Sequence, residues 1–384
     1  MGGGGTAMLA FNYVNSDNPA SWSDQYLTRA AIGFQYQGLR STDATDNTSL
    51  LTQGTLNAFQ FSFPILSRKL GALVSFQPYS RMDYRVEVEG TLMPDGIITD
   101  TTQYTINYEG DGGLQKVVAG LGYRINRFIT VGAGLDFLFG VLDNGRRTSF
   151  DAPGFQPTNV VNSTRMVGFS GTVGAMVTIP GVAGRQDLLT VGASASLPTT
   201  LRANRVRTLG DDLDQDTLTS RVEGDVSIPV SLRMGASYVP DSRWVFVVDG
   251  RYEPWSQFES DFSFAGYDPG GDRQLSDRLR LSAGVEVTPA GDDALAPYFS
   301  RVGYRLGFYT DKMYANPIDD ISLRTTAITA GLSLPTLFPG TRIDLNFEVG
   351  ARGSTEQGLV RDTFYRLSAN VNIGERWFQK QRLR

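Results

Sequence analysis

The sequence predicts an all-β protein: a fourteen-stranded antiparallel transmembrane β-barrel, residues 26–384, with an N-terminal segment, residues 1–25, folded into the lumen as a plug. Three observations carry the prediction. Apolar and polar residues alternate with a period of two along many segments, the connections between them alternate between tight and long, and no stretch of 18 apolar residues occurs. A membrane helix needs about 20 apolar residues, whereas a barrel strand needs about nine to eleven, of which only alternate ones face lipid. A mean hydropathy of −0.19 therefore excludes helical spans but not a barrel.

The alternation is clearest near the C-terminus. From Arg342 to Arg352, Ile343, Leu345, Phe347, Val349 and Ala351 alternate with Arg342, Asp344, Asn346, Glu348, Gly350 and Arg352. Tyr365, Leu367, Ala369, Val371 and Ile373 repeat the pattern, as do Ile129 to Val141 and Leu279 to Val287. Such runs predict strands near 26–40, 54–67, 69–88, 103–125, 127–148, 160–180, 187–208, 217–239, 243–258, 276–289, 298–312, 321–336, 340–354 and 360–376.

Connections after even-numbered strands are tight, as at Ser67-Arg68-Lys69, Ile125-Asn126-Arg127, Pro240 to Arg243 and Phe338-Pro339-Gly340. Those after odd-numbered strands are long and polar, as in Ser41 to Gln53, Gly90 to Thr102, Asp143 to Asn159 and Glu259 to Gln274. Outer-membrane barrels show this asymmetry, with short periplasmic turns and long external loops, so the cell outer membrane is the expected location and both termini are expected in the periplasm. A soluble sandwich or propeller also alternates. It is disfavoured because no blade-like repeat is visible and fourteen one-sided strands would demand a very large shared core.

Composition narrows function. Gly at 43, Phe at 22 and Tyr at 16 suit a sheet, and the net charge of −5 leaves no basic footprint, so no nucleic-acid partner is expected. No His is present, which removes the commonest general base and metal ligand, and no Cys is present. No G-x-S-x-G elbow occurs, since Gly168-Phe169-Ser170-Gly171 has the wrong spacing, and the N-terminal glycines lack the Lys-Ser/Thr of a P-loop. Neither an enzyme nor a cofactor is expected. Gly2 to Gly5 follow Met1 in place of a basic and then apolar leader, so the chain reads as a mature one.

Candidate site residues fall in three groups. Gly3, Gly4, Asn18 and Pro19 belong to a turn-rich segment that reads as a plug, with a structureless tail as the alternative. In the third strand the alternation of Leu70, Ala72, Val74 and Phe76 stops at Gln77-Pro78-Tyr79, where Pro78 deletes a ladder donor. That is either a lateral opening or an ordinary bulge. Inward-facing charges include Arg251, Glu253, Arg280, Arg342 and Arg366. They form a pairing network that anchors the plug, or one or two arginines hold a ligand carboxylate.

The chain resembles the long-chain fatty-acid transporter (FadL) family of Gram-negative outer membranes. The resemblance rests on the glycine-rich start with Thr6-Ala7-Met8 and Asp17-Asn18-Pro19-Ala20-Ser21, on Gly120 to Ile125 running into Val131 to Leu135, and on Ile228-Pro229-Val230 through Gly235 to Tyr238 and Trp255 to Phe258. It implies a fourteen-stranded barrel with a luminal hatch, and uptake of hydrophobic molecules that leave sideways through a kinked third strand. The chain departs from the family in having moderate external loops without an amphipathic helical pair. Its ending, Glu375 to Lys380, also lacks the usual terminal aromatic residue.

Two function classes follow. One is a passive channel for hydrophobic molecules such as long-chain fatty acids. The other is an outer-membrane scaffold or partner subunit of a secretion or surface-assembly complex. An apolar luminal pocket and a break at Pro78 would favour the first, and a sealed wall with a filled lumen the second. A general porin is disfavoured by the plug. The implied partners are membrane lipid and lipopolysaccharide, a hydrophobic small molecule and, under the second reading, a protein in the same membrane.

Overall fold

Inverted burial defines the architecture. Along 342–353, Leu345, Phe347 and Val349 are exposed while Asp344 is buried, and on 129–150 Leu135 is 60% exposed while its neighbour Asp136 is 1% exposed. A water-soluble sheet buries its apolar face, so a barrel exposing a continuous apolar exterior and sequestering its charges is built for a lipid surround. The computed structural model describes residues 1–9, 13–92, 102–152, 155–210, 216–218, 220–264, 266–272, 274–316, 321–338 and 340–377.

One antiparallel sheet closes on itself as fourteen wall strands. They are β1 (Thr28–Thr42), β2 (Thr48–Leu66), β3a and β3b (Leu70–Pro78, Tyr84–Leu92), β4 (Thr102–Arg124), β5 (Ile129–Phe150), β6 (Thr158–Pro180) and β7a and β7b (Leu188–Ser196, Thr199–Leu209). The wall continues through β8a and β8b (Val222–Ile228, Ser231–Asp241), β9 (Trp244–Glu253), β10 (Arg278–Val287), β11 (Gly303–Lys312), β12 (Arg324–Pro335), β13 (Arg342–Gly353) and β14 (Arg361–Glu375). Closure is the β1–β14 ladder, from Thr28 opposite Glu375 to Thr42 opposite Arg361.

Tight turns gather at one end, here the turn end. Asn126 accepts from the Phe128 and Ile129 amides at 2.8 and 2.9 Å, and Asp241 from those of Arg243 and Trp244 at 2.9 and 3.2 Å. At the opposite, loop end, β4, β5 and β6 run for 23, 22 and 23 residues, about 75 Å of strand each and far more than a bilayer requires. Their outward face changes there from Leu135, Val167 and Phe169 to Glu109, Asp111, Asp143 and Arg147.

Several sequence-based boundaries are corrected. β2 begins at Thr48 rather than 54, and much of the expected Asp143 to Asn159 loop is strand, because polar residues tolerate a ladder that extends beyond lipid. Strand nine stops at Glu253, where Pro254 removes a donor and Trp255–Gln257 forms a 3-10 turn. Tyr298–Arg301 is a helical turn, not strand. Several expected features lie partly outside the described residues: 10–12 of the N-terminal segment, 93–101 of the Gly90 to Thr102 loop, 153–154 of the Asp143 to Asn159 loop, 219 of the eighth strand, 265 and 273 of the Glu259 to Gln274 loop, Pro339 of its turn and 378–384 of the C-terminal ending.

The N-terminal residues lie against the inward face of the wall. Asn18 caps the 3-10 helix Pro19–Asp24, accepting from the Ala20 amide at 3.0 Å, and donates to the Thr6 carbonyl at 2.9 Å. Trp22 packs with Val14, Ala31, Leu73 and Val118 while its indole donates to the Asn15 carbonyl at 2.6 Å. Wall glycines make room for this bed: a Cβ at Gly132 would lie 2.3 Å from the Pro19 carbonyl carbon, and one at Gly122 2.6 Å from the Pro19 oxygen.

Candidate functional site

Among the described residues the wall is interrupted between its second and third strands. β2 pairs with β1 from Thr48 to Ser62, but on its other side it meets β3a only from Phe59 to Leu66. The third strand ends its first piece at Pro78, opposite Gln115, and resumes at Tyr84, opposite Gly110. Five residues, 79–83, thus face four, 111–114, which is a bulge. Gly112 and Gly113 take φ of +101° and +148° there, and the Tyr79 and Ser80 amides both turn to the Leu114 carbonyl at 2.8 and 3.1 Å. Beyond this break β3b, among the described residues, pairs with β4 alone. A notch opens between the edges of β2 (48–58) and β3b, with Phe59, Phe76 and Pro78 at its floor.

Behind the notch lies a cavity of about 490 Å³, lined by Asn57, Ala58, Gln60, Gln77 and Pro78 of the wall, by Gly3, Gly4, Tyr13 and Asp17 of the N-terminal segment, and by Arg305, Arg342 and Asp344. Its lining is mixed, since Met1, Met8, Val14, Ala31 and Ile32 line it beside these polar groups. Burial pushes the Tyr13 phenol far above its ordinary value, so the group facing this cavity stays neutral. A second cavity of about 130 Å³ shares Gln77 and Pro78 and adds Tyr79, Leu138, Ile228, Lys116, Arg233 and Arg251. It is amphipathic, apolar at Leu138 and Ile228 toward the loop end and charged below, where Asp136 joins Lys116, Arg233 and Arg251.

The mouth at the loop end is filled. Leu114, Leu138, Met166, Leu201, Val226 and Ile228 of the wall pack against Phe258, Phe262, Tyr267 and Leu275 from the connection after β9, with Tyr79 and Trp255 at the margin. Phe258 and Tyr267 meet edge-to-face at 4.9 Å, and Trp255 stacks on Tyr314 at 4.6 Å. The polar, external loop expected at Glu259 to Gln274 thus turns inward, and its aromatic content is the signal in the sequence.

The sequence-predicted residues are distributed as follows. Gln77, Pro78 and Tyr79 meet at the junction of notch, cavities and apolar mouth. A Cβ added at Gly3 would stand 2.9 Å from the Arg280 guanidinium, and Gly4 lies against Asp249, which accepts from the Thr6 amide at 2.8 Å. Asn18 and Pro19 sit on the turn-end half of the lumen. The luminal charges are paired: Arg251 with Glu253, Arg342 with Asp344 at 3.2 Å, and Arg366 with Glu348 at 2.7 Å, while Arg280 donates to the Gly2 carbonyl at 3.1 Å and stacks over Tyr309. Lys116, Arg278, Asp311, Asp17, Asp24 and Arg124, which the alternation does not single out, complete the network. Lys116 reaches Asp136 at 3.3 Å, Arg278 bridges Glu253 and Asp311 at 3.2 and 2.6 Å, and Asp17 and Asp24 of the N-terminal segment meet Arg233 and Arg124. With their guanidinium groups already engaged, these arginines act as anchors before they act as ligand holders.

A family model described as BamG matches residues 1–384. Among solved structures, the fold is similar to the Ralstonia pickettii toluene transporter TbuX, at TM-score 0.59 and 15% identity over 98% of this chain and 96% of that one. It is similar as well to a Pseudomonas aeruginosa FadL homologue, at 0.60 and 12% over 96% and 95%, and to the Pseudomonas putida toluene transporter TodX, at 0.58 and 12% over 98% and 97%. At these identities the likeness concerns the fold, which is that of the FadL-type barrels. Comparison with curated proteins finds no match.

Proposed function

The chain belongs to the BamG family, and from that footing we propose that it is an outer-membrane barrel conducting small hydrophobic molecules passively. In this reading the turn end and both termini face the periplasm, as short turns do in outer-membrane barrels. The N-terminal segment, residues 1–25, plugs the lumen. A molecule enters among the aromatic side chains of the mouth, passes the amphipathic junction at Gln77, Pro78 and Tyr79, and leaves through the notch into the bilayer. Lateral exit spares an apolar solute the polar, charge-paired lumen below, where leaving water for buried charges would gain it nothing. The observation that carries the reading is the coincidence of the ladder break at Pro78 with two of the luminal cavities. The toluene transporters with the same fold make monoaromatic hydrocarbons the first probes, with long-chain fatty acids beside them.

The chain has no cysteine, so Asn57→Cys with Gln77→Cys supplies a unique pair across the cavity's wall side. Bridging the pair with a short thiol cross-linker is expected to stop toluene uptake by cells, and reducing a cleavable version to restore it. Uptake equal in bridged and unbridged barrels would refute lateral release.

A second reading, a partner subunit of an envelope assembly complex, is favoured by the packed mouth, in which Leu138, Met166 and Leu201 are almost wholly buried. It predicts no uptake of either probe above that of cells lacking the protein.

A further inference from the structure

The wall's extension at the loop end is a sheet with an unfinished side. β3b is hydrogen-bonded to β4 from Tyr84 opposite Gly110 to Leu92 opposite Thr102, and among the described residues it pairs with no other strand. Such an edge carries a row of free N–H and C=O groups, a template for another strand, and natural sheets blunt it with charged side chains, Pro or a bulge. Tyr84–Leu92 contains no Pro and no Lys and keeps an unbroken register with β4.

Its two faces are chemically distinct. Tyr84, Val86, Val88 and Leu92 stand exposed on the face continuous with the lumen wall. On the outer face Arg85 is taken by Glu109 at 2.9 Å, whereas Glu87 and Glu89 make no ion pair among the described residues. The edge thus offers two uncompensated carboxylates two residues apart, backed by a valine face.

We propose that β3b is a docking strand for an extended segment of another envelope protein, one that sets apolar side chains beside Val86 and Val88 and Lys or Arg beside Glu87 and Glu89. Main-chain hydrogen bonds supply affinity, and the faces fix register, since a one-residue slip would lay the basic side chains on the valines. Opposite charges across a strand pair attract, like charges repel. The added strand lies on the notch side of β3b, facing the free edge of β2. This inference does not depend on solute passage.

The test uses the purified full chain in detergent and two labelled nine-residue peptides, one alternating Val with Lys and one alternating Val with Glu, followed by fluorescence anisotropy. The Val/Lys peptide is expected to bind and the Val/Glu peptide not. Glu87→Lys with Glu89→Lys, both exposed and distant from the lumen, should weaken the first by roughly ten- to thirtyfold and let the second bind, as four surface-charge terms of ordinary size require. N-methylation of alternate peptide amides should abolish binding while leaving charge intact. Equal binding of both peptides, or binding indifferent to N-methylation, overturns strand addition. A dimer of this chain that the Val/Lys peptide disperses overturns the assignment to a different protein.

Discussion

A methyl group added at Gly132 tests whether the N-terminal segment is held by the wall's shape. Its Cβ would stand 2.3 Å from the Pro19 carbonyl carbon, 2.4 Å from its oxygen and 2.7 Å from the Ala20 nitrogen. Carbon contacts are comfortable only from about 3.5 Å, so Pro19–Asp24 must retreat by roughly an ångström. The obstacle is backbone on both sides, which no rotamer relieves, and overpacking of this kind costs about 1–3 kcal/mol. Retreat also loosens Trp22 from Val14, Leu73 and Val118 and draws Asp24 from Arg124. The undocked population therefore rises roughly five- to 150-fold in Gly132→Ala. Gly122→Ala, with its Cβ 2.6 Å from the Ser23 nitrogen, should act alike, whereas Gly54→Ala meets nothing within 4 Å and serves as the control. Planar-bilayer recording reads the outcome as open events of ion-conducting size, frequent in the first two variants and parental in the third. If Gly132→Ala and Gly122→Ala conduct as the parent does, and their N-termini resist protease equally, the segment does not close the lumen.

Three other perturbations follow from the same geometry. Asp136→Ala strands the Lys116 ammonium and deprives the Thr172 hydroxyl of its 2.6 Å acceptor; loss of one partner from a buried pair costs about 3–5 kcal/mol, read as a lower midpoint of heat-dependent gel mobility, and Lys116→Met with Asp136→Leu should recover most of it. Phe262→Ala with Tyr267→Ala unpacks the mouth, so uptake of toluene should quicken if the mouth is the gate, and unchanged uptake would separate the mouth from the path. In the β1–β2 loop, donation by the Asn47 side chain, then by its amide and by Thr45, holds the Asp43 carboxyl below its ordinary value. A depressed folded value means that this contribution is complete above the ordinary carboxylate range and fades only as pH falls through the lowered one. The amide resonances of Thr45 and Asn47 should stay fixed across the ordinary range and move below it; a midpoint at the ordinary value would refute the turn's role.

The wall was legible in the sequence because lipid on one side and water on the other impose a period of two, and Leu345, Phe347 and Val349 display it residue by residue. Strand ends were less legible. Beyond the bilayer both faces of a strand are wet and alternation fades, so the strands read at 69–88, 127–148 and 160–180 stop short of the ladder, which continues through 89–92, 149–150 and 158–159. Pro78 could be located because a missing donor is a property of one residue. Its consequence, an open notch, could not, since that depends on how far β2 runs past Phe59. The pairing of Arg233 with Asp17, or of Arg124 with Asp24, joins residues far apart in sequence, and no local pattern encodes it. The inward glycines sit between these cases. Gly122, Gly132 and Gly174 fall at luminal positions of a readable alternation, but their meaning emerges only when Asn18 and Pro19 are laid against them. A bare luminal position in a charged barrel marks where main chain, rather than a side chain, fills the space.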